Sequence, residues 1–106
     1  MNKKTPPNTS ALKSLKDQGW QVQIRHYRRW KNGGDDISDS SLRSLGYSNI
    51  FQESISQTGG ATELILDKDG VCITIRSTCY YKDNFCRRIG VHECLKKLET
   101  LYGIKA

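Results

Sequence analysis

Proline is nearly missing from this chain: the only two stand side by side as Pro6 and Pro7. From residue 8 onward no proline interrupts a helix or strand, so breaks there fall to glycine and polar turns. Methionine occurs once, histidine twice, and aromatic residues make up 8%. The mean hydropathy is −0.64. No apolar run approaches the roughly 20 residues of a membrane-spanning helix. Lys3 and Lys4 are followed by Thr5-Pro6-Pro7 and not by an apolar stretch, so the start does not read as a secretory signal. The expectation is a chain of the cytoplasm with no membrane segment.

The usual templates for metals and phosphates are missing as well. Cys72, Cys79, Cys86 and Cys94 contain no C-x-x-C, and His26 and His92 stand far apart in sequence. This spacing matches no zinc pattern, and reduced, partly buried thiols are the reading it supports. Gly33-Gly34 lacks the G-x-x-x-x-G-K-[ST] pattern, and Asp35 and Asp36 beside it repel phosphate. Asp35, Asp36 and Asp39 lack EF-hand spacing and read as a solvated acidic loop. For catalysis, Cys86 beside Arg87 has a case for a lowered pKa, but no base or orienting group accompanies it. His92 lies off the helical face of Cys86, His26 has no evident substrate, and no acid/base carboxylate pair is apparent. The expectation is no catalytic residue, no metal and no cofactor.

What is present is positive charge. The formal net charge is +6 in 106 residues, with a sequence pI of about 9.3. This balance suits a phosphate-bearing partner. The length suits one domain, with residues 1–8 as a flexible arm and 9–106 as an α+β unit.

The pattern of that unit is a small antiparallel β-sheet with a short N-terminal helix and a longer C-terminal helix packed against it. Thr9 or Ser10 caps the first helix, which carries Ala11, Leu12 and Leu15 and stops at Gly19. Trp20 to Trp30 alternates with period two, placing Trp20, Val22, Ile24, His26, Arg28 and Trp30 on one face. Arg25, Tyr27 and Arg29 fall on the other. Ser40 caps a short turn with Leu42 and Leu45 that ends at Gly46; Ile50, Phe51 and Ile55 read as a strand broken by Thr58-Gly59-Gly60. Ala61 to Asp67 and Val71 to Tyr81 form a hairpin about Asp67-Lys68-Asp69-Gly70. The last helix is expected from about Asn84 to Tyr102, capped by Asp83 or Asn84 and Gly103, with Phe85, Ile89, His92, Leu95, Leu98 and Tyr102 as its apolar stripe.

Arg87 and Arg88 then project from the first helical turn, at the positive end of the dipole. Two cations there call for an anion or an acidic partner. Arg25 and Arg28 come from a strand that can end nearby, and Trp30, Tyr27, Tyr80 and Tyr81 offer aromatic faces. Clustered arginines with aromatics fit a compact ligand bearing phosphates and bases better than a long duplex. The competing readings are a nucleic-acid binder and a scaffold in which Arg87 and Arg88 pair with Glu63, Asp83 or Glu93.

The run Val71-Cys72-Ile73-Thr74-Ile75-Arg76-Ser77-Thr78-Cys79, followed by Lys82-Asp83-Asn84-Phe85-Cys86-Arg87-Arg88-Ile89-Gly90, resembles small phage proteins with a hairpin ending in Cys and then Lys-Asp-x-Phe-x-Arg-Lys/Arg-x-Gly. Trp20-x-Val22-x-Ile24-Arg25-His26 is similar to their first strand. The pattern resembles the phage anti-Thoeris sponge family, over residues 20–30 and 61–103; residues 31–60 do not align with it. The resemblance implies an anti-defence protein of the host bacterial cytoplasm. Such a protein sequesters cyclic-ADP-ribose signals, and in some members cyclic dinucleotides, without cleaving them. It further implies a homodimer or a hexamer built as a trimer of dimers, with ligand sites between subunits. Arg87 and Arg88 match the paired basic residues at the helix start, and Arg25 or Arg28 matches the arginine of the first strand. The implied ligand-binding set is Arg25, Arg28, Asn84, Phe85, Arg87 and Arg88. The alternative is a small basic phage protein that binds nucleic acid or a host defence protein.

Overall fold

The computed structural model describes residues 8–33, 36–44 and 54–106. Its elements are α1 (Thr9–Asp17), β1 (Gln21–Arg28), β2 (Ile37–Ser38), α2 (Asp39–Ser44), β3 (Ala61–Lys68), β4 (Val71–Thr78) and α3 (Arg87–Tyr102). The strands form one antiparallel sheet in the order β2-β1-β3-β4. The fold is α+β, as the patterning predicts. No helix of the described residues is long and apolar enough to cross a membrane.

The alternation in each strand decides which face the helices cover. Val22 and Ile24 of β1, Leu64 and Leu66 of β3, and Ile73 and Ile75 of β4 point to one side. Leu15 of α1 and Cys94 and Leu98 of α3 close over them. Each buried Leu or Ile contributes roughly 1.5–3 kcal/mol. The other face carries Gln21, Gln23, Arg25 and Tyr27, then Glu63 and Asp67, then Cys72, Thr74 and Arg76. There Tyr27 donates to Glu63 Oε1 at 2.8 Å, and Arg76 donates to Glu63 Oε2 at 3.2 Å while lying over the Tyr27 ring.

The β3–β4 turn is the two-residue Asp69-Gly70, with φ of 51° and 81°. Positive φ at both positions is what an Asp-Gly hairpin supplies. The second strand ends at Thr78, three residues before the predicted Tyr81.

Several expectations are corrected here. α3 begins at Arg87 and not near Asn84, because Asn84 pairs with Thr58 in an extended bridge and the Phe85 N–H bonds Gln57 O at 2.9 Å. Its N-cap is Cys86, without a side-chain cap; neither Asp83 nor Asn84 fills that role. The buried stripe is Val91, Cys94 and Leu98: Leu98 is buried and Leu95 packs on the core as expected, whereas Phe85 precedes the helix and Ile89 and Tyr102 are exposed. β1 stops at Arg28; Trp30 continues the line only as an isolated bridge to Ile55. Of the poorly patterned stretch, α2 forms with Leu42 buried, and the Ser41 N–H bonds Ser38 Oγ, so Ser38 rather than Ser40 holds its start. Leu45, Gly46, Ile50 and Phe51 lie outside the described residues, as do residues 1–7 of the expected arm.

Gly90 explains how closely α3 approaches the sheet. A Cβ there would lie 2.1 Å from Thr62 Oγ1 and 2.7 Å from Thr62 Cβ. Gly90→Ala is expected to lower stability by about 1–3 kcal/mol through overpacking, although alanine favours helix by about 1 kcal/mol. Urea unfolding checks this; a stabilised Gly90→Ala would mean that α3 does not press on β3.

Candidate functional site

The residues that matter meet where β1, β3, α2 and α3 converge. Residues 54–60 lace that corner together. The Ser56 N–H bonds Arg29 O and the Lys31 N–H bonds Ser54 O on one side. On the other, Gly59 N–H bonds Asp83 O and Phe85 N–H bonds Gln57 O. Gly60, at φ 91°, lets the chain pass: a Cβ would stand 2.5 Å from the Tyr27 carbonyl and 2.9 Å from the Phe85 ring.

Phe85 is the centre of the corner. Its ring meets His26 edge-on at 5.8 Å between centroids. The Arg28 guanidinium lies 4.9 Å from the ring centroid and that of Arg87 lies 6.0 Å away. Arg28 also donates to Ser56 O at 3.0 Å, while its buried Nε has no hydrogen-bond partner among the described residues.

Arg87 has an acidic partner, and it is Asp39. Arg87 Nε donates to Asp39 Oδ2 at 2.8 Å, and Nη2 lies 2.6 Å from the same oxygen. Asp39 is 5% exposed, and its Oδ1 has no hydrogen-bond partner among the described residues. This corrects the reading of Asp39 as part of a solvated loop, and none of Glu63, Asp83 or Glu93 is the partner of Arg87. The Asp39 position opens α2, so the pair ties α2 to the start of α3.

The six sequence-derived candidates therefore divide. Arg28, Phe85 and Arg87 converge, and Asn84 adjoins them through its bridge to Thr58. Arg25 does not join them: alternation puts it on the opposite face of the sheet, across from Glu63. Arg88 is exposed, and its carbonyl accepts the Asn8 side-chain amide at 3.1 Å. Sequence reasoning missed Asp39, Ser56 and Gln57. An acid among other acids gave no sign of burial, and backbone carbonyls carry no side-chain signature.

A cleft of about 470 Å³ opens beside this corner, between the end of β4, the 79–86 segment and the first turns of α3. Phe85, Asn84, Tyr80, Cys86, Ile89 and Gly90 line it, with Asp83, Glu93 and Lys97 as its charged members. The first helical bond runs from Gly90 N–H to Cys86 O, so the N–H groups of Arg87, Arg88 and Ile89 precede the ladder. The first turn has no acidic residue. This helix start is thus electropositive and lacks the side-chain acceptor that usually satisfies it.

Comparison with family models, curated proteins and solved structures returned no match to this chain. What it does must therefore be argued from this corner itself.

The remaining chemistry is modest. All four cysteines are free thiols, and burial pushes Cys94 up from its ordinary pKa. Among the described residues no three His, Cys, Asp or Glu side chains gather to hold a metal. Burial lowers the pKa of His26, with Asp39 raising it and Arg87 lowering it further by smaller amounts. Its Nδ1 lies 2.9 Å from Thr62 Oγ1.

Two predictions follow from this geometry. Because the folded His26 binds its proton less readily than the unfolded one, it contributes stability above pH 6.5 that is lost as pH falls through that value toward the lowered folded pKa. Urea unfolding at pH 7.5 and pH 5 should show a larger acid loss in the wild type than in His26→Gln; equal losses would contradict it. For the ion pair, a double-mutant cycle on Arg87→Ala and Asp39→Ala should give a coupling of about 1–2 kcal/mol, toward the low end because the Arg87 side chain is 55% exposed. A coupling near zero would make the pair incidental.

Proposed function

We propose that this protein binds and sequesters a compact cyclic nucleotide signal, of the cyclic-ADP-ribose type or a cyclic dinucleotide, and releases it unchanged. In that role it is a phage anti-defence protein acting in the cytoplasm of the bacterial host. The observation that carries the reading is the uncapped start of α3 opening on an aromatic-walled cleft of about 470 Å³. Small-ligand sites run to roughly 300–1,000 Å³ and combine apolar walls with a few convergent polar groups. Here Phe85 and Tyr80 offer ring faces, Asn84 offers an amide, and the first-turn N–H groups suit a phosphate. Arg88, exposed in the same first turn, adds positive charge to this helix start.

The scaffold reading is favoured by one specific observation, the Arg87–Asp39 pair. It changes which variant tests the ligand. Arg87→Ala strands a buried carboxylate and unsettles the fold, so loss of binding in that variant is ambiguous. Arg88→Ala and Asn84→Ala leave that pair intact.

The test is a thermal-shift and mass-spectrometry screen against cyclic ADP-ribose isomers, cyclic dinucleotides, NAD and ADP-ribose. A binding ligand raises the melting temperature with concentration and is recovered at its original mass. Arg88→Ala and Asn84→Ala should each weaken it by about 1–3 kcal/mol without lowering the ligand-free melting temperature. A changed mass would make the protein an enzyme. No shift with any of these compounds, together with a salt-steep gel shift, would make it a nucleic-acid binder.

A further inference from the structure

β4 is an edge strand of the described sheet, and Arg76 is the one charged residue along it. It pairs with β3 through eight uninterrupted positions, Val71 to Thr78, without a bulge, a proline or a glycine. Long regular edges of this kind are templates for another strand.

The hairpin fixes which groups are free. In a two-residue turn the flanking residues, Lys68 and Val71, form a hydrogen-bonded pair. Alternation then turns Val71, Ile73, Ile75 and Ser77 toward β3, and leaves the N–H and C=O groups of Cys72, Thr74, Arg76 and Thr78 facing outward. One contact bears this out independently: Lys97 Nζ donates to the Arg76 carbonyl at 2.9 Å, reaching it from the open side.

α3 runs antiparallel to β4 and flanks this edge with uncovered apolar side chains. Leu101 (68% exposed) and Tyr102 (52%) share a groove of about 480 Å³ with Thr74, Ile75 and Arg76. Ile89 (48%) and Tyr80 (49%) stand at the other end, beside Thr78 and Cys79.

We propose that the β4 edge docks a second copy of this chain, antiparallel and two-fold symmetric about Ile75. Self-complementarity argues for a second copy. A two-fold axis reverses the order along the edge, so Leu101 and Tyr102 of each copy meet Ile89 and Tyr80 of the other. The register follows from charge and pairing. Centring on Arg76 sets two guanidiniums directly opposite one another, which is unfavourable. Centring on Thr74 leaves Thr78 unpaired. Centring on Ile75 pairs Thr74 with Arg76 and Cys72 with Thr78, engaging all four outward residues and joining the two sheets into one of eight strands. Lys97 caps the Arg76 carbonyl in the single chain and yields it to the Thr74 N–H of the second copy. This inference does not depend on the ligand proposed above.

The experiment measures molar mass by light scattering across a concentration series of the full chain, with two variants. Thr74→Pro removes an outward N–H that β3 does not use, so the fold should persist by circular dichroism while the dimer weakens at least tenfold. Thr78→Cys places a thiol opposite Cys72 of the second copy, and mild oxidation should give a covalent dimer whose cross-link maps to positions 72 and 78. A wild type that is monomeric at every concentration overturns the proposal. So does a dimer that survives Thr74→Pro and forms no 72–78 cross-link, because that dimer uses another face. Should Thr74→Pro fail to fold, the cross-link alone decides.

Discussion

The contact between Gly90 and Thr62 sets the position of everything that follows it. With no side chain at position 90, α3 settles onto β3 more closely than any other residue would allow. That approach seats Val91, Cys94 and Leu98 on the sheet. It also brings the first turn of α3 level with the end of β4, where the cleft lies. A helix raised by one methyl group would lift Arg87 from Asp39. The glycine costs helix propensity, and the proximity it allows is what holds the corner.

The corner is held from two directions. Main-chain bonds from residues 54–60 fix the 83–85 segment in an extended form, which delays the helix until Arg87. Side chains then hold the helix start: Arg87 to Asp39, with Phe85 between Arg28, His26 and Arg87. The buried Asp39 carboxylate and the half-exposed Arg87 guanidinium hold each other there. The first-turn N–H groups of α3, by contrast, have no side-chain cap. The start of α3 thus sets an arginine tied to Asp39 beside an uncapped first turn.

Much of the fold was legible because alternation and turn chemistry are local. Val22 and Ile24, Leu64 and Leu66, and Ile73 and Ile75 point inward as their spacing requires, and Asp69-Gly70 makes the turn. The start of α3 was not legible. Asn84 and Phe85 fit a helical spacing well, and only the bridge from Thr58, a partner remote in sequence, overrides it. The site was legible in its cations and less so in their partners. Arg28 and Arg87 do converge, as clustering suggested, but Arg25 sits on the far face because residues three apart in a strand point to opposite sides. Asp39 was hidden by its acidic neighbours: charge patterning shows where acids lie in the chain and not which one is buried.

The most direct test of the account is an amide NMR titration of the isotopically labelled protein with cyclic ADP-ribose isomers and cyclic dinucleotides. The account predicts that the largest shifts fall on the backbone N–H groups of Arg87, Arg88 and Ile89 and on the Asn84 side-chain amide, while those of Leu64 and Leu66 stay in place. Saturable binding that leaves the first turn of α3 unperturbed, or no binding by any of these ligands, would contradict it.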